Sequence, residues 1–140
     1  MPFTNLLVAV DASEASNRAL ETALELAQLI GASVMALAVE GPLPAYAATV
    51  GEVEEVKREK DEFFGRLAQD VRARAERRGM SIEVEIRPGH AAELIPRVAK
   101  ERGADLIVLV HRGHFLRDHL LGSTADRVAE HAECPVMIVK

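Results

Sequence analysis

Apolar residues follow two rhythms along this chain. Short apolar or alternating runs occupy Leu6 to Val10, Ser33 to Val39, Ser81 to Arg87, Leu106 to Val110 and Val136 to Val139, and predict five strands. Between them, apolar positions return every three or four residues, which predicts amphipathic helices. The first helix carries Leu20, Ala23, Leu24, Ala27 and Ile30 on one face, follows cap chemistry at Asp11-Ala12-Ser13, and stops at Gly31. After the second strand, Glu40-Gly41-Pro42-Leu43-Pro44 breaks regular structure. From about Glu52, the positions Val56, Phe63, Leu67 and Val71 share a face until Arg78-Gly79, as one long helix or two pieces.

The third strand alternates Ile82, Val84 and Ile86 with Glu83, Glu85 and Arg87, the pattern of an edge strand with one exposed face, and Pro88-Gly89 ends it. A helix over Ala91 to Arg102 presents Leu94, Ile95 and Val98, with Pro96 past its first turn as a kink or a sign of a later start. Leu106 to Val110 is apolar throughout, as a strand covered on both faces requires. A helix of about Thr124 to His131 leads to the last strand. Strands separated by helices indicate an α/β fold, an open, mostly parallel five-stranded sheet with helices on both faces. Ligands in such Rossmann-like sheets collect beyond the carboxyl ends of the strands, where strand order reverses. The candidate wall is therefore Asp11, Val39 to Gly41, Pro88 to His90, and Val110 to Thr124.

With 140 residues, one domain spanning 1–140 fits, with no room for a separate catalytic domain. Seventeen basic against 22 acidic residues give a formal charge of −5 and no basic stripe, which disfavours nucleic acid as a partner. The lone Cys134 rules out an internal disulfide framework and reads as a small buried residue beside Pro135. The start, MPFTNLLVAVDAS, has no basic leader or membrane-spanning run, so the expected location is cytoplasmic, with no membrane partner.

Catalytic signatures are missing. Ser123 lies outside a G-x-S-x-G context, and neither GxGxxG nor GxxxxGK[ST] occurs. Ser123 with Asp126 has the spacing of a capping box, which needs no ligand. Four histidines, His90, His111, His114 and His119, fall in or near the proposed ligand-end loops, and His131 sits at a helix terminus. A zinc site would need them to converge, so the expectation is no metal, with loop, cap, phosphate-facing or pH-responsive roles open instead. Phe115, Leu116, Leu120 and Leu121 read as core anchors or as a docking patch.

The segments LLVAVDASEASNRAL, RPGHAAELI, ADLIVLV and LLGSTADRVAEHAECPVMIVK make the chain resemble the universal stress protein family over essentially all 140 residues. The resemblance implies a sheet of order 3-2-1-4-5, commonly dimerised through the last strand, in a family of which many members bind ATP and others bind none. The family's nucleotide signature is Gly, two residues, Gly, nine residues, Gly and Ser or Thr. Here Val110 stands at the first position, Gly113 matches the second, eight residues follow, and Gly122-Ser123 closes the motif. Valine lacks glycine's access to positive φ, and a loop one residue short shifts the NH groups that would meet a phosphate.

Residue by residue, the resemblance implies that Asp11 lines the adenosine region, Val39 meets adenine through its backbone, and Gly113, Gly122, Ser123 and Thr124 surround the phosphates. Structural roles stand beside these: Asp11 capping the first helix, Val39 filling the core edge, Gly113 making a turn, Gly122-Ser123 starting a helix. The resulting expectation is a cytoplasmic stress-response regulatory homodimer that binds ATP or a related adenine nucleotide, with Mg left open. It has no catalysis, or at most slow ATP hydrolysis, because no lysine or base is placed for phosphoryl transfer. The competing expectation is a nucleotide-independent homodimeric protein-interaction module that docks an unknown regulatory protein through Phe115 and Leu116.

Overall fold

The computed structural model describes residues 3–41, 49–111 and 124–140. Its elements are β1 (Asn5–Val10), α1 (Glu14–Ile30), β2 (Ser33–Glu40), α2 (Val50–Glu76), β3 (Glu83–Pro88), α3 (Ala91–Glu101), β4 (Leu106–Val110), α4 (Thr124–His131) and β5 (Val136–Val139). The five strands form one parallel sheet in the order β3-β2-β1-β4-β5. Helices α1 and α2 pack on one face, and α3 packs beside α4 on the other. This is the expected doubly wound α/β sheet, and its strand order is the one the resemblance implied.

The centre of the sheet is the reason for the arrangement. Leu6 to Val10 and Leu106 to Val110 are all at most 3% exposed, so β1 and β4 are covered on both faces by helices. Helix α1 contributes Ala19, Leu20, Ala23, Leu24 and Ala27, all at most 1% exposed. Ile30, from the same sequence pattern, is half exposed. At 17 residues α1 is about 25 Å long, and it outruns the six-residue β1, which spans about 20 Å. Gly31, at φ 73°, ends α1 in the left-handed cap, with the Ala32 amide reaching back to the Ala27 carbonyl.

Helix α2 is one continuous helix of 27 residues that starts at Val50, two residues before the sequence suggested, with Thr49 as its cap. The Thr49 hydroxyl accepts from the Glu52 amide and donates to the Glu52 carboxylate. Pro96 does not move the start of α3, which runs unbroken from Ala91. Having no N–H, it leaves the Ala92 carbonyl without its helical partner. Cys134 is half-buried, and burial pushes its thiol pKa up.

At the β3 edge the expected alternation is modified. Glu83, Glu85 and Arg87 share a sheet face with Met35, Leu37 and Val39 and meet the end of α3 there. Arg102 pairs with Glu83, and Arg87 with Glu101 at 2.8 Å and Glu85 at 3.3 Å. This ion-pair row half-buries Glu85, whereas Ile86 on the opposite face is 37% exposed. The polar face of this edge strand is therefore ion-paired, with Glu85 and Arg87 half-buried and Glu83 still exposed.

A second polar device ties β1 to β4 at their amino ends. The Asp105 carboxylate accepts from the Thr4 amide and hydroxyl, both at 2.9 Å, and from the Asn5 amide at 3.0 Å, while the Asp105 amide donates to the Asn5 carbonyl at 2.9 Å. Partial burial opposes its ionisation, but the hydrogen bonds from Thr4 and Asn5 outweigh it and hold the pKa below the ordinary carboxylate value. A carboxylate with a depressed folded pKa adds stability above its unfolded pKa, about 3.9, and that stability is lost as pH falls through the folded value. Urea unfolding should show Asp105→Asn destabilised by about 1–2 kcal/mol at pH 7, the low figure reflecting solvent screening. The gap to wild type should narrow below about pH 4. An equal gap at pH 7 and pH 3 would refute this account of the clasp.

Candidate functional site

The strand order reverses between β1 and β4. From β1 the chain winds outward through β2 to β3, and then it returns across the sheet to β4 and β5. The crossovers leave that point in opposite directions, which opens a crevice beyond the carboxyl ends of β1 and β4. Asp11 follows β1 there, and His111 follows β4.

Its β1 wall is a compact polar turn. The Asp11 carboxylate accepts from the Ser13 hydroxyl at 2.6 Å and the Ser13 amide at 3.0 Å. Ser13 is the N-cap of α1, its hydroxyl accepting from the Ser16 amide at 3.0 Å. Ser16 is fully buried and accepts from the Asp11 amide at 2.9 Å. This knot holds Ala12 at φ 70°, the sole non-glycine at positive φ among the described residues. The expected capping role thus falls to Ser13, with Asp11 orienting it.

The β2 wall begins at Val39. The ladder between β1 and β2 ends at the pair Val10 and Ala38, while β2 stays paired with β3 through Glu40 and Pro88. The β1-facing backbone edge of Val39 therefore has no strand partner and faces the crevice. Gly89 closes the far side, its amide donating to the Glu40 carbonyl at 3.0 Å. Lys60 of α2 reaches the same strand end, its ammonium donating to the Gly41 carbonyl. Sequence reading passed over Lys60, because a contact 19 residues apart leaves no local signature.

On the β4 side, Val110 is an ordinary strand residue, 1% exposed and in register with Val139. The His111 amide continues that ladder to the Val139 carbonyl at 2.8 Å. Val110 is thus in extended backbone, so the fold does not require a glycine's positive φ there. Thr124, at the start of α4, is 8% exposed. Gly113, Gly122 and Ser123 lie outside the described residues, as do Phe115, Leu116, Leu120, Leu121, His114 and His119. Asp11, Val39 and Thr124 are accordingly the expected site residues that can be placed, at the ends of β1 and β2 and the start of α4. His90 and His111 follow β3 and β4, with β2 and β1 between them, and among the described residues no three His, Cys, Asp or Glu side chains converge on a metal position.

The crevice thus has a ladder-free backbone edge at β2 on one side and a hydrogen-bonded turn at β1 on the other. A cavity of about 280 Å³ among Asn5, Ser33, Met35, Ser81, Glu83 and Arg102 lies at the amino ends of β1 to β3, the far end from the switch point, and is not part of it. Among the described residues no helix is long and apolar enough to cross a membrane.

Comparison with known proteins agrees with the architecture. Universal stress protein YxiE of Bacillus subtilis is 31% identical over 147 aligned positions, covering 99% of both chains. The solved structure of universal stress protein UspA from Lactobacillus plantarum superposes with a TM-score of 0.84 at 28% identity, covering 100% of this chain and 99% of that one. A universal stress protein family protein from Arabidopsis thaliana, solved with AMP bound, matches with a TM-score of 0.70 at 23% identity, over 98% of this chain and 91% of that one. The model of the universal stress protein family matches residues 2–140, and the chain belongs to that family.

Proposed function

We propose that this protein is a cytoplasmic stress-response regulator that binds ATP or a related adenine nucleotide at the carboxyl ends of β1, β2 and β4, and acts by occupancy. The observation that carries this reading is the end of the β1–β2 ladder at Val10 and Ala38, which leaves the Val39 backbone facing the switch-point crevice. Val39 reads an adenine edge through that backbone, Asp11 borders the ribose, and Thr124 with Gly113, Gly122 and Ser123 holds the phosphates. The AMP-bound relative from Arabidopsis supports an adenine nucleotide as the ligand class. Val110 offers no objection from its backbone, since it is an in-register strand residue.

Titration calorimetry with ATP, ADP and AMP, preceded by mass spectrometry of protein purified without added nucleotide, tests the reading. The expected result is saturable heat at micromolar to millimolar ligand with little phosphate release over hours. Gly122→Val should weaken binding at least tenfold, about 1.4 kcal/mol, with the circular dichroism spectrum unchanged. No heat at millimolar nucleotide, together with no co-purified nucleotide, would discard the proposal in favour of a nucleotide-independent interaction module.

The proposed assembly is a homodimer paired through β5. This strand ends the sheet, and Val136, Met137, Ile138 and Val139 are all only half-buried in the single chain. An apolar edge left open invites pairing, and a two-fold contact closes it. Sedimentation at micromolar concentration should find a dimer, and Ile138→Lys should shift it to monomer by placing an unpaired charge in the contact. Wild-type protein that sediments only as monomer would sink the assembly.

A further inference from the structure

Strand β4 runs directly into a histidine. Leu106 to Val110 are apolar and at most 3% exposed, so His111 is the first polar side chain on the β4 side of the crevice. Its amide donates to the Val139 carbonyl at 2.8 Å, which keeps it in the ladder and carries the strand's alternation through it. Leu7 lies beside both Met35 and Ile107, so Met35, Leu37 and Val39 share a sheet face with Ile107, Leu109 and His111. On that face the end of α3 meets Glu83, beside Met35, and α4 packs with α3. The exposed His111 ring therefore leaves β4 on the side of the sheet where α4 begins, at Thr124.

Among the described residues this ring has no hydrogen-bond or ion-pair partner, although its backbone is fixed. A neutral imidazole offers one donor, and a protonated one offers two with a positive charge. The elements that meet at this corner carry two charges of each sign. Asp11 stands at the end of β1, Lys140 lies beside His111 beyond β5, and Asp126 and Arg127 belong to the first turn of α4. These oppose one another, so a phosphate brought to the ring tips the balance toward the imidazolium.

We infer that His111 is a phosphate contact whose protonation tightens the hold on phosphorylated ligands, so that occupancy of the crevice rises as pH falls. The inference rests on the adenine-nucleotide reading above and adds to it a residue and a mode of regulation which that reading does not contain. The physical link is reciprocal. An imidazolium makes a charge-assisted hydrogen bond to a phosphate oxygen, and a bound phosphate in turn keeps the ring protonated. The base takes no part, because β1 separates β2 from β4 and the end of β2 is about 10 Å away. His111 thereby responds to the phosphates of the ligand and is indifferent to its nucleobase.

The test is calorimetry on the full chain with adenosine, AMP and ATP at about pH 6 and about pH 8, the range over which imidazoles change charge. Wild type is compared with His111→Gln and with His131→Gln, whose exposed imidazole lies at the far end of α4. Terminal phosphates titrate in the same range, so the quantity read is the difference between wild type and variant with the same ligand. At the lower pH wild type should bind AMP and ATP about fivefold more tightly than His111→Gln does, and at the higher pH within about twofold. Adenosine should bind both proteins equally at either pH, and His131→Gln should follow wild type throughout. NMR of histidine-labelled wild type gives a second readout that needs no variant to fold: on addition of ATP, and not of adenosine, the His111 ring should stay protonated to higher pH. Equal affinities of wild type and His111→Gln for ATP at both pH values, a loss as large for adenosine as for ATP, or a His111 signal that ignores ATP would each overturn the assignment while leaving nucleotide binding intact. Wild type that binds no adenine ligand at either pH would remove the parent reading and this one together.

Discussion

Burial of β1 and β4 on both faces is the constraint on which the rest of the molecule depends. Ten positions, Leu6 to Val10 and Leu106 to Val110, are withdrawn from water, and their larger side chains each contribute about 2 kcal/mol. A parallel pair of this kind cannot be closed by a hairpin. It needs crossover helices on both sides, and these fix α1 with α2 on one face and α3 with α4 on the other. Because the centre admits no polar side chain, every group with chemistry to offer is displaced to the strand ends. The amino ends take the Asp105 clasp, and the carboxyl ends take Asp11, His111 and the open edge of β2.

Local pattern carried a large share of this. The unbroken LIVLV of β4 signalled double burial, the Asp-Ala-Ser run signalled a helix start, and Gly31 signalled its end, each because a short window contains its own physical cause. Order 3-2-1-4-5 came from family resemblance, since periodicity alone does not rank strands in a sheet. Where the pattern misled, the cause was long-range. Glu85 is half-buried where the alternation placed it in water, because Arg102 and Glu101, at the end of α3, reach the polar row. Ile30 sits on the apolar face of its helix but beyond the sheet it would have covered.

The site was legible unevenly for the same reason. Asp11, Val39 and Thr124 sit at element boundaries, where sequence pattern is informative, the first two at the ends of β1 and β2 and the third at the start of α4. The division of labour between Asp11, Ser13 and Ser16 was hidden, because three short polar residues in a row of six can cap a helix in several ways and hydrogen-bond geometry selects one. Lys60 was hidden more deeply. Its partner is a backbone carbonyl on another element, and carbonyls have no sequence signature.

The turn at Ala12 carries a consequence for how costly it is to hold a ligand. A left-handed alanine is held against its preference by Asp11, Ser13 and Ser16, so the loop at the end of β1 is set when the chain folds and not when a guest arrives. The ordering entropy of that wall is then charged to folding, and an incoming molecule meets a shape that is already made. A wall made in advance favours a guest whose shape already matches it over one to which the loop would have to adapt.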